Sequence, residues 1–234
     1  PEHPEVMWQL SEAIDGLALA CVAFDVPVIG GNVSLYGEVQ GRDIDPTPVL
    51  GVLGLIDSLE TPPPVAKFGA GDQIVVLGET RDDFAGSEWA HLHGLDEGAI
   101  SAFDLSAART TNEFVASLVI RRAINGVHDV SDGGLAVAIA EMCIAGQVGC
   151  DIDLVSAPGE CDVVGKAFAE TPSRFVLGVS DGDAAVALAR KAGIPAAILG
   201  IAGGVTIRIG GVGEVSVADL SDVYLSAIPR ALAR

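Results

Sequence analysis

Apolar residues recur at three- and four-residue steps from Val6 to Phe24, with Met7, Leu10, Ile14, Leu17 and Cys21 on one stripe. That period predicts a helix with a buried face, and Glu5 in its first turn suits the positive end of the helix dipole. Asp25-Val26-Pro27 ends the pattern. Val26 to Ile29 predicts a short buried strand, and Val49 to Ile56, a continuous apolar run, predicts a central one. The polar, turn-rich stretch Gly37 to Asp45 between them reads as a loop able to close over the end of the first strand. Glu60-Thr-Pro-Pro-Pro-Val65 can continue neither helix nor ladder. It marks a boundary near residue 64, giving domains 1–64 and 65–234.

Beyond the prolines the two periods alternate. Asp72 to Leu77 predicts a strand ending at Gly78, and Ser87 caps a short helix after the loop from Phe84. Asp104 to Ile124 has a helical pattern with Asn125-Gly126 as its C-cap, followed by a strand at Val127-His128. Leu135 to Ala145 predicts a helix burying Leu135, Ile139 and Met142. Asp151 to Leu154 alternates as a strand, Val163 to Phe168 reads as a helix and Phe175 to Val179 as a strand. Asp183 to Ala192 is a helix ended by Gly193. Strands at 196–201, 205–209 and 214–217 with Gly-Gly turns, then a helix from Leu220 to Ala233, complete the set. Without a regular parallel βαβ repeat, this order predicts an α+β (α/β layered) fold.

Composition narrows the function. At 234 residues and 50% hydrophobic, the chain can bury proper cores. A net charge of −19 argues against nucleic acid or an anionic membrane as partner. A polyanionic nucleotide would need metal ions and backbone N–H groups to offset that charge. The four cysteines, Cys21, Cys143, Cys150 and Cys161, show no CxxC spacing, which points to a reduced, cytoplasmic protein. No uninterrupted apolar run approaches the roughly 20 residues of a membrane span. The first residue is Pro1, not Met, which predicts a start inside a longer product.

Two stretches carry candidate chemistry. In Pro27 to Tyr36, a strand meets Gly30-Gly31, where backbone can approach a ligand closely, then Asn32 with an amide oxygen and Ser34 with a hydroxyl. Spacing alone favours a plain Gly-Gly-Asn turn, since Gly and Asn are the commonest turn formers. In His128-Asp129-Val130-Ser131-Asp132-Gly133-Gly134, two carboxylates bracket a hydroxyl at a helix entry. Asp132 or Ser131 could cap that helix, and its N–H groups could take an anion. His128 reads as a hydrogen-bonding histidine rather than a base. His91 and His93, two apart with no third ligand nearby, read as polar surface.

The run PVIGGNVSLYGE at Pro27 to Glu38, the run from Pro46 to Ile56, HDVSDGGLA at His128 to Ala136 and Ser173 to Val176 occur in one order. Together they resemble formylglycinamide ribonucleotide amidotransferases, also called phosphoribosylformylglycinamidine synthases, across nearly the whole chain. The resemblance implies the C-terminal part of an ATP-binding A domain followed by an aminoimidazole ribonucleotide synthetase-like B domain. It implies a ligase of purine biosynthesis that uses ATP, Mg²⁺ and formylglycinamide ribonucleotide. Ammonia would come from a glutaminase subunit or domain, with a small adaptor subunit as a further partner. On this resemblance Gly31 is the ATP-binding position, Asn32 the Mg²⁺ ligand and Ser34 the substrate contact. Asp129 and Ser131 are secondary nucleotide and Mg²⁺ candidates.

The family's catalytic histidine, acidic metal ligands and an ATP-contacting aspartate match positions upstream of Pro1, so no residue here takes a catalytic role. The piece alone is therefore expected to be inactive and to need the upstream half of the same protein. Two alternatives remain at this stage: another ATP-dependent enzyme of the superfamily, or a non-catalytic half braced by a bound nucleotide. The GGNVSLYGE run discriminates against the first.

Overall fold

The computed structural model describes residues 3–35, 37–56, 60, 62–95 and 98–233. Pro1, Tyr36 and Thr61 lie outside the described residues. Two compact units, Pro1–Pro62 and Pro63–Arg234, make up the chain.

The first unit holds helix α1 (Pro4–Phe24) and a small hairpin of β1 (Glu38–Val39) and β2 (Arg42–Asp43). Proline in its first turn and left-handed Asp25 at its C-cap bound α1. The predicted buried stripe does not form: no residue of α1 is buried, Met7 and Ile14 are exposed, and Val6, Leu10, Ala13, Leu17, Ala20, Cys21 and Phe24 are only half-buried, because too little of this unit packs against the helix. Alanines at 13 and 20 lie on the less exposed face, and a count of large residues alone overlooks them. One 18-residue window of α1 has a mean hydropathy of 1.3, enough by length and composition for a membrane span. Gln9, Ser11, Glu12 and Asp15 interrupt it, as an amphipathic helix requires.

The stretch Gly37 to Asp45 forms a hairpin rather than an open loop. Gln40 and Gly41 both have positive φ, 54° and 77°, the two-residue turn that matches strand twist. The strands expected at Val26–Ile29 and Val49–Ile56 do not form. A strand exists through its ladder, and among the described residues of this unit only Glu38–Asp43 pairs. Both runs are irregular and open: Ile29 is 82% exposed and Val49 93%.

The second unit is built on one seven-stranded sheet, flanked by helices. Its strands are β3 (Gln73–Leu77), β4 (Gly126–Asp129), β5 (Cys150–Ile152), β6 (Phe175–Val179), β7 (Ala196–Ala202), β8 (Thr206–Ile209) and β9 (Gly213–Ser216). Their spatial order is β4-β6-β3-β7-β5-β8-β9, antiparallel throughout except for the parallel pair β5·β8. The helices are α2 (Glu88–His93), α3 (Leu105–Ile120), α4 (Gly134–Gly146), α5 (Val163–Phe168), α6 (Gly182–Lys191) and α7 (Val217–Leu232). This is the mixed, layered α+β arrangement that the element order predicts.

The continuous apolar run of β3 follows from burial on both faces. Ile74 and Val76 join a core with Leu135, Ile139 and Met142 of α4 and Val217 of α7, while Val75 and Leu77 join a second core with Val115 and Leu118 of α3 and Val186 of α6. Towards the far edge only the first core persists, so β5 alternates: Cys150 and Ile152 are buried and Asp151 is exposed. On that open face Arg208 donates to Asp151 and to Glu214, at 3.1 Å each, across three neighbouring strands. All four cysteines are free, and Cys143 and Cys150 are buried. Their mutual thiol hydrogen bond, together with burial, pushes Cys143 upward.

Local caps account for most helix starts. Ser87, Asp104, Asp162, Asp181 and Ser216 each accept from a backbone N–H in the first turn of the following helix. Ser87→Ala is expected to lower stability by about 1 kcal/mol, read from urea unfolding, since it removes the acceptor for Ala90. The C-cap predicted at Asn125-Gly126 is not used. α3 stops at Ile120 because Arg122 turns left-handed, φ 57°. Asn125 instead donates to Asp72 at 2.6 Å and to Ser180 at 3.1 Å, tying the approach to β4 against the sheet.

Candidate functional site

The first candidate segment, residues 26–35, presents its donors openly. Gly31, Asn32 and Ser34 are all exposed. A Cβ on Gly30 or Gly31 would meet nothing within 4 Å. The local packing of this unit therefore does not require glycine there, and the space beside the backbone is free for a ligand to approach. Beside it Asn32 supplies a neutral oxygen donor and Ser34 a hydroxyl.

The second candidate lies where β4 runs into α4. Asp129 is 63% exposed, and its Oδ1 stands 3.2 Å from His128 Nδ1. His128 is satisfied on both ring nitrogens, by the Asp129 carbonyl at 2.7 Å and by Glu141 of α4 at 3.0 Å, which fits its reading as a hydrogen-bonding histidine. Ser131 is exposed, and its carbonyl accepts from Gly134 N at 3.0 Å. Asp129 and Ser131 thus both face solvent from one short turn.

Neither Asp132 nor Ser131 caps α4, contrary to the sequence reading. The N-cap is Gly133, left-handed at φ 76° and without a side-chain cap of its own. Its N–H donates to Glu170 Oε1 at 2.8 Å, from 37 residues away. Gly134 also has positive φ, 73°, and a Cβ there would lie 2.8 Å from the Phe168 backbone. The glycine pair thus serves chain reversal and close packing against α5.

Sequence reasoning also missed what braces this turn. Arg174 is 1% exposed. Its guanidinium donates to the Thr171 carbonyl at 2.9 Å, to Thr80 Oγ1 at 3.0 Å and to the Ala169 carbonyl. Burial pushes it down to about 10, so it stays charged at neutral pH. Its own carbonyl accepts from Val130 N at 2.9 Å, inside the candidate turn. The available signal was an arginine opening an apolar strand just after Thr171-Pro172, since a charge at such a position has to be fully hydrogen-bonded.

Oxygen donors of these types suit Mg²⁺. Among the described residues no group of three or more His, Cys, Asp or Glu side chains could enclose a metal. A Mg²⁺ ion that took most of its ligands from phosphates and water would need only one or two such protein oxygens. His91 and His93 sit on α2, not on a strand, where a two-residue step places them on different faces. His93 stacks on Trp89 at 4.1 Å, and Trp89 stacks on Phe168 at 4.8 Å.

Residues 69–209 match the family model described as AIR synthase related protein, C-terminal domain, and residues 1–56 match the corresponding N-terminal domain. A curated relative from Thermobifida fusca, phosphoribosylformylglycinamidine synthase subunit PurL, is 41% identical over 237 residues, covering 98% of this chain and 30% of its own length. The protein of the same name from Rhodospirillum rubrum is 38% identical, covering 100% of this chain and 32% of its own. The chain thus spans about a third of these relatives. Among solved structures, Thermotoga maritima PurL complexed with ATP aligns with a TM-score of 0.58 at 20% identity, over 70% of this chain and 28% of that one. The same protein complexed with FGAR gives 0.57 at 20% identity, over 67% and 29%. At this identity the likeness shows the fold.

Proposed function

The chain belongs to the AIR synthase related protein family, and from that premise we propose that it forms part of a phosphoribosylformylglycinamidine synthase. The observation that carries the proposal is the agreement of both domain models, in order, with relatives of one name over the whole chain. The reaction is ATP-dependent: the γ-phosphoryl group passes to the amide oxygen of formylglycinamide ribonucleotide, ammonia adds at that carbon, and phosphate leaves with the oxygen. Products are the amidine, ADP and phosphate. Relatives under one enzyme name favour this over other ATP-dependent enzymes of the superfamily and over a non-catalytic brace.

This chain's own share is positioning. Gly31 lets its backbone meet ATP without a side chain between, Asn32 offers the amide oxygen to Mg²⁺, and Ser34 donates to the substrate. The metal would supply charge neutralisation on the phosphates. Asp129 and Ser131 form a second, non-catalytic nucleotide and Mg²⁺ site. Ammonia comes from a glutaminase partner, with a small adaptor subunit, in the cytoplasm. The domain division falls near residue 64.

Product formation from formylglycinamide ribonucleotide, ammonia, ATP and Mg²⁺ tests the reading. The full-length protein is expected to make the amidine, and this chain alone none. Ser34→Ala in the full-length protein should raise KM for the ribonucleotide about tenfold, the worth of about one lost hydrogen bond, with kcat nearly unchanged. Turnover by the isolated chain, or an unaltered KM, would overturn it.

A further inference from the structure

We propose that Glu170 is the positioning residue of the turn 129–134, acting as a cap supplied to α4 from outside its own sequence. The proposal builds on the reading of Asp129 and Ser131 as secondary ligands. One carboxylate oxygen, Oε1, accepts from Gly133 N, the N-cap of α4, and from Glu88 N, the first residue of α2, at 2.8 Å each. Both bonds are charge-assisted, and the negative charge sits at the favourable end of two helices. Glu170 takes the N–H of the N-cap residue itself, the bond that a Glu three residues into the helix would make locally and that Ala136, which stands there, cannot make.

Glu170 is itself held in place. Its N–H donates to the Asp83 carbonyl at 3.0 Å, and the next residue, Thr171, exchanges two bonds with the Arg81 backbone at 2.9 Å each. The buried Arg174 guanidinium closes the segment by bonding the Ala169 and Thr171 carbonyls. The 169–174 segment thus grips the turn twice, through Glu170 at Gly133 and through the Arg174 carbonyl at Val130. These two grips bracket Ser131 and fix the backbone that carries both candidate ligands.

Because the Gly133 N–H is already taken by a carboxylate, a phosphate reaching the turn meets negative charge at the helix entry. A cation on the exposed Asp129 and Ser131 oxygens would offset that charge.

Amide hydrogen exchange by NMR, with MgADP titration, on Glu170→Ala and Glu170→Gln in the full chain tests this. Glu170→Ala should speed exchange at Gly133 and Glu88 together, at least tenfold, while β3 amides are unchanged. Glu170→Gln keeps an acceptor oxygen and should restore both amides to within about threefold of wild type. MgADP affinity should fall at least tenfold in the alanine variant and recover in the glutamine variant. Unchanged Gly133 exchange in Glu170→Ala, equal acceleration in β3, or no recovery in Glu170→Gln would overturn the positioning role. If wild type itself ignores MgADP, the secondary-site reading falls instead, and the exchange pattern alone decides whether Glu170 holds the turn.

Discussion

Asn32→Ala in the full-length protein is expected to cut turnover about a hundredfold or more while leaving thermal stability unchanged. A hundredfold loss corresponds to about 2.7 kcal/mol of transition-state stabilisation. That is the scale of one misplaced positioning group where catalysis depends on holding charged phosphates in line. Stability should not move because Asn32 is exposed in irregular backbone, where substitutions stay within about 0.5 kcal/mol. The measurement is kcat at several Mg²⁺ concentrations beside a melting curve. Partial recovery at high Mg²⁺ would mark a weakened metal contact, whereas full turnover at ordinary Mg²⁺ would remove Asn32 from the site.

Arg174→Met should show the opposite signature, a loss of stability of about 3–5 kcal/mol. The methionine fits the channel left by the aliphatic stem but donates nothing, leaving Thr80 Oγ1 and the carbonyls of Ala169 and Thr171 short of their donor. Each buried group left unpaired costs about 1–3 kcal/mol, and three of them, each in the lower half of that range because the site relaxes as one, give the expected loss. For a unit of this size the midpoint should fall by about 10 °C. Arg174→Lys preserves charge but cannot reach three divergent acceptors, so it should recover only part of the loss. Urea unfolding that places Arg174→Met within 1 kcal/mol of wild type would mean that the guanidinium merely tolerates its burial.

Legibility in the sequence followed how local each determinant is. α5 at Val163–Phe168 and β6 at Phe175–Val179 fall where the pattern predicts them, because period and caps lie inside the segment. Val49–Ile56 reads as a central strand yet has no ladder, because pairing depends on a neighbour that its own residues do not encode. The α4 cap escaped for the same reason, since Glu170 arrives from another loop. The candidate ligands Gly31, Asn32, Ser34, Asp129 and Ser131 are exposed, and the roles proposed for them rest on family resemblance rather than on spacing.

The exposed run Val49–Ile56 has a consequence for handling the polypeptide. Eight residues without a charge, rich in valine and leucine and open to solvent, form a sticky segment of the kind that seeds intermolecular sheets. The two glycines within it and the chain's large negative charge work against such self-association. Salt screens that repulsion, so concentrated preparations of this polypeptide should precipitate as ionic strength rises and stay clear in dilute buffer.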